Sequence, residues 1–341
     1  MALLLEQVSR SFYLTLRILP APVRPQIGLA YLLARATDTI ADTHLVPVKR
    51  RQAALREMRA AIVNTAAGRT AAPPDFGELA AAQTGPAGQG SPGERALLER
   101  AGAALEALRA FSREDRQLIC EVLHTITCGQ EMDLAHFGSA ARDRICALET
   151  EEDLEQYTYC VAGCVGEFWT RMCRRHLFPD APLDDAGLLP DAVRFGKGLQ
   201  LVNILRDLPR DLRLGRCYIP SAKLAAVDLA PDQLLDPSAI SRFRPLYEDY
   251  LRRAREHLTA GWRYTNVIPR PQVRVRLACA WPILIGVQTL ARLGECNPLD
   301  NATRTKVSRA GIRQVVFSSL VRYPFARAWN RLFEKHRRHI C

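Results

Sequence analysis

Helical periodicity runs through almost the whole chain, and strand-like alternation bounded by turn residues is scarce. This leaves all-α as the expected fold class. The apolar period and its stops predict helices over 4–18, 24–43, 48–67, 95–111, 114–138, 150–177, 187–213, 238–263, 271–294 and 304–335. Pro20, Pro22, Pro220, Pro269 and Pro271 punctuate them. With 341 residues, 48% of them hydrophobic, the chain can enclose a sizeable core as a single domain. Residues 68–94, rich in Ala, Gly and Pro, read as a flexible insertion between helices. No internal repeat of domain-building length is present.

The formal net charge is +11, which suits a polyanionic partner such as nucleic acid, an anionic membrane surface or a phosphorylated substrate. Ten scattered cysteines form no CxxC pair, so zinc-ribbon and thioredoxin readings fail. The start lacks a basic region followed by a cleavable small-residue site, and reduced thiols in a cytoplasm are expected. No uninterrupted apolar run reaches 18 residues, so no membrane-spanning helix is expected.

Two acidic helix faces carry the chemistry. In YLLARATDTIAD (31–42), at about 100° per residue, Tyr31, Arg35, Asp38 and Asp42 fall within about 60° of one another. In the stretch that runs from Gln200 to Asp211, Gln200, Asn203, Asp207 and Asp211 fall within about 80°. Leu201, Ile204, Leu205 and Leu208 occupy much of the rest of that helix, the opposite of a solvated face. Carboxylates one turn apart repel unless something positive lies between them. If the two pairs face each other, they are hard oxygen ligands for Mg²⁺, which completes its shell with waters and phosphate oxygens. The neighbouring arginines would then meet the phosphates. Pro209 takes away the hydrogen bond expected at the Leu205 carbonyl. It reads as a kink or an early helix end that angles Asp211 and RLGRCYIP, or as a plain helix terminus.

DTIAD and NILRDLPRD resemble the paired aspartate-rich motifs of squalene and phytoene synthases, the head-to-head prenyltransferases. SRSFYLTLRILP (9–20), GQEMDL (129–134), YTYCVAGCVGE (157–167) and GRCYIP (215–220) are similar to further segments of that family. The resemblance implies an isoprenoid-synthase fold, one helical bundle around a deep central cavity. It implies Asp38, Asp42, Asp207 and Asp211 as Mg²⁺ ligands, with Gln200 and Asn203 on the same wall. Arg35, Arg206 and Arg216 would contact diphosphate, and Tyr157 would stand near the first leaving group. Phe12, Tyr31, Val161 and Ala162 would line the prenyl channel. Two departures stand out: Thr43 follows the first motif where many members carry an acid, and Thr158 stands where Cys is common.

The implied activity is condensation of two farnesyl diphosphates through presqualene diphosphate to squalene, with NADPH as reductant. The runner-up readings are phytoene synthase acting on C20 diphosphates, dehydrosqualene synthase acting without NADPH, and a non-catalytic assembly factor. TRTKVSRAG (303–311) loosely resembles an NADPH-contacting loop, which makes Lys306 and Arg309 the candidates there. No GxGxxG marks a Rossmann module. The C-terminal stretch 318–341 interleaves Tyr323, Phe325, Trp329 and Phe333 with arginines. It suits either peripheral contact with the inner membrane face or a core-facing aromatic stripe. His336 and His339 lack a third ligand in view. Nucleic acid is not an expected partner, because the arginines cluster beside acids. The chain is expected to act as a monomer.

Overall fold

The computed structural model describes residues 2–8, 13–69, 72–84, 90–300 and 305–337. The chain divides into two compact units, 1–138 with 167–180, and 139–166 with 181–341.

The regular secondary structure of the first unit, among its described residues, is all helical. Short α1 (Ala2–Val8) and α2 (Tyr13–Ile18) precede α3 (Arg24–Asp42) and α4 (Val48–Ala66). Then come α5 (Gly77–Ala81), α6 (Pro92–Glu99), α7 (Ala101–Arg109) and α8 (Arg113–Phe137). Pro25 opens α3, where a missing N–H costs nothing. The Ser112 side chain caps α8 by accepting from Asp115 N. α8 packs on α3 and α4, burying Leu29, Leu33 and Ile40 against a core with Leu55, Met58, Ile119 and Leu123. Asp115, almost fully buried, accepts from Gln26 Nε2 at 3.3 Å and pairs with His176 Nε2 at 2.8 Å. Among its described residues, the stretch 68–94 carries α5, with Phe76, Leu79 and Ala80 buried, and the capped start of α6.

The second unit is built on α11 (Asp185–Arg213), which follows α9 (Glu151–Thr158); most of α10 (Cys164–Leu177) belongs to the first unit. α12 (Ser221–Ala225), α13 (Ile240–Val267), α14 (Val273–Glu295), α15 (Arg309–Arg322) and α16 (Ala326–Arg337) complete it. α11 packs on α13 and α14. Two strands, β1 (Cys146–Ala147) and β2 (Arg216–Cys217), pair in parallel with Cys146 opposite Arg216. Each is two residues long, too short for a period of two to show in the sequence. Gly215, at φ +79°, makes the turn from α11 into β2, and a Cβ there would strike the Ala141 backbone.

Three expected helices are interrupted. The 150–177 helix contains a π-helical turn at Tyr159–Gly163 between α9 and α10. Here the backbone packs unusually close to α11. A Cβ on Gly196 would overlap the Ala162 carbonyl, and one on Gly166 would overlap that of Ala192. The 95–111 helix breaks at Arg100, and the 304–335 helix breaks at Pro324. α14 is apolar enough by length and composition to cross a membrane, with a mean hydropathy of 1.4. The strict test of uninterrupted apolar residues missed it. In the fold it is a core helix, with Leu277, Ala280, Ile283, Leu284 and Leu290 buried.

Pro209 neither ends α11 nor marks its terminus, because the helix runs on to Arg213. The Leu205 carbonyl, deprived of its helical donor, accepts instead from Tyr247 Oη on α13 at 3.1 Å. Tyr247 is fully buried, and burial raises the pKa of its hydroxyl, so it stays a donor. Tyr247→Phe should therefore lower stability by about 1–3 kcal/mol in urea unfolding, the cost of a buried unpaired carbonyl. In a Pro209→Ala background, residue 209 regains its N–H and that cost should shrink. An equal cost in both backgrounds would dissociate Tyr247 from the proline.

Candidate active site

In the first unit the acidic face of α3 forms as its spacing predicts. Asp38 pairs with Arg35 one turn earlier, and Arg35 also pairs with Glu94 at the start of α6. Although burial works against it, Asp38 and Glu94 raise the Arg35 pKa and keep it charged. Its Nε is buried and makes no hydrogen bond. Burial also opposes ionisation of Glu94, but Arg35 and the Ser91 capping contacts hold its carboxyl below the usual range. Asp38 behaves oppositely. Removal from water, with Asp42 and Asp133 adding like charge, pushes its carboxyl up to about 7 against the pull of Arg35. The side chain still keeps 41% of its surface, so it is open to a cation. Tyr31 is half-buried on the same face and adds to the field at Arg35.

Asp133, on α8 within GQEMDL, and Glu94 are the members that sequence reasoning did not single out. Glu94 was readable, since Ser91-x-x-Glu94 is a capping box. Asp133 was not: a lone acid on one helix gives no sign that its charge acts on Asp38 of α3.

In the second unit the polar stripe of α11 also forms. Asn203 Nδ2 donates to Gln200 Oε1 at 3.4 Å. Arg206 grips Asp207 through both oxygens, at 2.9 and 2.5 Å. Its pKa is raised by that hydrogen bond, with Asp207 and Asp211 adding their charge against the opposing effect of burial. Past Pro209 and the Gly215 turn, Arg216 lies in β2, whose pairing with β1 pins this segment: Cys146 N donates to Gly215 O at 2.8 Å. Two residues on, buried Tyr218 stacks on Tyr157, with ring centroids 4.9 Å apart and planes 26° apart. Tyr157 thus sits against the segment that follows the second acidic motif. Its helix is anchored by ion pairs of Glu155 with Lys197 on α11, at 2.6 Å, and of Glu151 with Arg253 on α13. Val161 and Ala162 lie in the π turn, both partly exposed. Among the described residues no group of three or more His, Cys, Asp or Glu converges tightly enough to enclose a metal ion on its own.

The sequence profile of squalene/phytoene synthase matches residues 5–311. The chain belongs to the squalene/phytoene synthase family. The family relatives include a bifunctional lycopene cyclase/phytoene synthase of Blakeslea trispora, 32% identical over 64% of this chain and 31% of that protein. A squalene synthase of Schizosaccharomyces pombe is 23% identical over 93% of this chain and 64% of its own length. A presqualene diphosphate synthase of Rhodopseudomonas palustris is 30% identical over 77% of both chains. The chain thus spans less than two thirds of the first two of these relatives. A solved ligand complex of TcSQS superposes over 99% of this chain and 89% of its own, with a TM-score of 0.77 at 21% identity. The fold is the all-α isoprenoid-synthase fold.

The two departures from the family pattern are both satisfied hydroxyls. Buried Thr43 donates to Thr39 O at 2.6 Å and accepts from Gln83 Nε2 at 2.7 Å. Buried Thr158 donates to Leu154 O at 2.9 Å. Lys306 and Arg309 are exposed around the start of α15, where Arg292 donates to Lys306 O at 2.7 Å. Phe12 and His339 fall outside the described residues, as does the side chain of His336.

The Asp38 shift sets a pH signature. The unfolded chain releases this proton near the ordinary value of 3.8, while the folded chain holds it until about 7. The contribution of Asp38 to stability therefore falls as pH rises from 4 to 7 and is flat above. In metal-free buffer at pH 8, Asp38→Asn should be more stable than the parent. The gain should be on the order of 1–2 kcal/mol, discounted for a partly exposed side chain. At pH 4 the two should unfold alike. Asp133→Asn should recover part of the same gain, and a pH-independent difference would remove the like-charge account.

Proposed function

We propose that the enzyme condenses two farnesyl diphosphates head-to-head to presqualene diphosphate, and with NADPH carries that product on to squalene. The observation that carries the reading is the Asp38–Asp42–Asp133 cluster, whose mutual repulsion calls for a divalent cation. It is supported by a second acid stripe on α11 with its own arginine, and by relatives named for squalene and presqualene diphosphate synthesis. The donor set suits Mg²⁺, which is held by one or two carboxylates and otherwise by waters and phosphate oxygens. When bound it would neutralise the departing diphosphate.

Asp38 and Asp42 on α3, and Asp207 and Asp211 on α11, are the ligands in this reading. In this reading Arg35, Arg206 and Arg216 contact diphosphate oxygens. Ionisation of one substrate releases its diphosphate and leaves an allylic cation. Attack by the double bond of the second substrate, with loss of a proton, closes the cyclopropane. In this reading the Tyr157 hydroxyl handles that proton or holds the leaving group, a role supported by the stacking on Tyr218 that fixes its ring. Tyr31, Phe12, Val161 and Ala162 line the prenyl chain, while Gln200 and Asn203 orient the diphosphate end. NADPH, when bound, would supply the hydride that completes a second ionisation and rearrangement to squalene. Lys306 and Arg309 take the dinucleotide phosphates, where the first turn of α15 adds positive potential. A phytoene synthase would use the same groups on C20 substrates. The enzyme is placed in a reducing cytoplasm, in keeping with nine described cysteines that are all free thiols.

Incubation with C15 or C20 diphosphates, with and without NADPH, followed by mass analysis, tests the reading. C15 should give presqualene diphosphate without NADPH and squalene with it. Phytoene from C20 as the main product would replace it. Asp38→Asn and Asp207→Asn should each abolish Mg²⁺-dependent turnover while helical circular dichroism is kept. Tyr157→Phe should slow the first half-reaction about 100-fold or more. Near-parental rates in any of these would return that residue to a structural role.

A further inference from the structure

At the far end of the second unit, a pocket of about 260 Å³ is lined by Asn266, Arg270, Arg276, Tyr323, Trp329 and Asn330, among others. Arg276 at its wall is 7% exposed. One of its terminal nitrogens donates to Asn266 Oδ1 at 2.7 Å, and its guanidinium lies 5.6 Å from the ring centres of both Tyr323 and Trp329. Its Nε is buried and makes no hydrogen bond. The groups acting on its charge are Tyr323, Arg270 and Cys279, with no carboxylate among them, and burial works against that charge. A buried cation without a counter-ion is costly to keep. Arg270 adds a second positive charge, and Ala326 places the first turn of α16 at the rim, where backbone N–H groups lack helical partners. All of these features point to a phosphate group as the missing partner. The volume is small for a drug-sized ligand.

A second observation says what carries the phosphate. Phe317, Leu320 and Val321 are 70%, 47% and 54% exposed on one face of α15, and Phe325 is 64% exposed. Arg313 shares that face. Buried Val315 and Ser319 form the opposite side, where Ser319 Oγ accepts from Trp281 Nε1 at 2.9 Å. Phe325 stands directly before the pocket residue Ala326 and two after Tyr323, so apolar face and pocket are continuous along the chain. From Arg309 to Phe333 the sequence contains arginines and no acid. The same face of a second copy would meet like charge there, and a nucleic acid could stack on the two phenylalanine rings but would leave aliphatic Leu320 and Val321 unused. Basic charge rimming exposed apolar side chains is the pattern of a helix lying in an anionic lipid interface.

We propose that α15 and Phe325 dock on an anionic lipid layer, with a lipid headgroup phosphate seated against Arg276 and Arg270. The expected interleaved aromatic tail is thereby reassigned. Trp329 and Phe333 stack on Trp262 inside the unit, and the lipid-facing side chains belong to α15 and the turn after it.

The test reads binding and not turnover, so it stands or falls separately from the proposed reaction. The full chain is sedimented with vesicles of phosphatidylcholine alone, and with vesicles containing about one-third phosphatidylglycerol. The parent should bind the anionic vesicles and leave the neutral ones. Phe317→Ser with Phe325→Ser, and separately Arg276→Gln, should each weaken anionic binding at least fivefold. The double serine variant changes only exposed side chains, so it keeps the test decisive should Arg276→Gln fail to fold. Inorganic phosphate should raise the melting temperature of the parent and compete with the vesicles. Equal binding to both vesicle types, or anionic binding untouched by the serine pair, overturns the proposal. Phosphate stabilisation without vesicle binding overturns the lipid source and assigns the pocket to a soluble phosphate compound.

Discussion

A single hydroxyl-to-carbonyl bond compensates α11 for the hydrogen bond that Pro209 removes. Pro209 strips the Leu205 carbonyl of its helical donor, and Tyr247 restores one from α13. The helix therefore keeps its register for another turn and delivers Asp211 on the same face as Asp207, Asn203 and Gln200. Everything downstream inherits that register: the Gly215 turn, the short parallel ladder, and the ring of Tyr218 laid on Tyr157. Had the helix ended at the proline, Asp211 would have left the stripe.

The two acidic faces solve their electrostatics differently. On α11, Asp207 is held by its own neighbour, Arg206, in a two-point grip. On α3, Arg35 is shared with Glu94, and Asp38 is left facing Asp42 and Asp133. The first pairs its acid with an adjacent arginine, whereas the second sets like charges against Asp38, a repulsion that protonation of Asp38 or an added cation relieves. The family to which the chain belongs handles diphosphates, and a face left short of positive charge suits a metal-borne substrate better than a self-satisfied one.

Much of this was legible from residue spacing. α3, α4, α8, α11 and α14 fall close to their expected bounds because long helices repeat their apolar period many times. Asp38 with Asp42 and Asp207 with Asp211 were legible for the same reason. What escaped depends on partners distant in sequence or on features too short to repeat. Tyr247 gives no local sign that it will rescue Leu205. Asp133 is one acid among many until α8 packs on α3. The β1–β2 ladder spans two residues on each side. In the C-terminal stretch, interleaved aromatics and arginines fit both faces, and only the stack of Trp262 with Trp329 and Phe333 decides which side is core.

The π turn at Tyr159–Gly163 has a consequence for how this segment tolerates length change. Such a turn accommodates one residue more than an α turn, so the helical phase beyond it is offset by about 100° from that of α9. Deleting a single residue here would straighten the helix without unfolding it. The same deletion would rotate Gly166 away from the Ala192 carbonyl and bring a bulkier neighbour into its place. The extra residue acts as a phase shifter, letting one continuous rod present Tyr157 in one direction and its smallest residues in another.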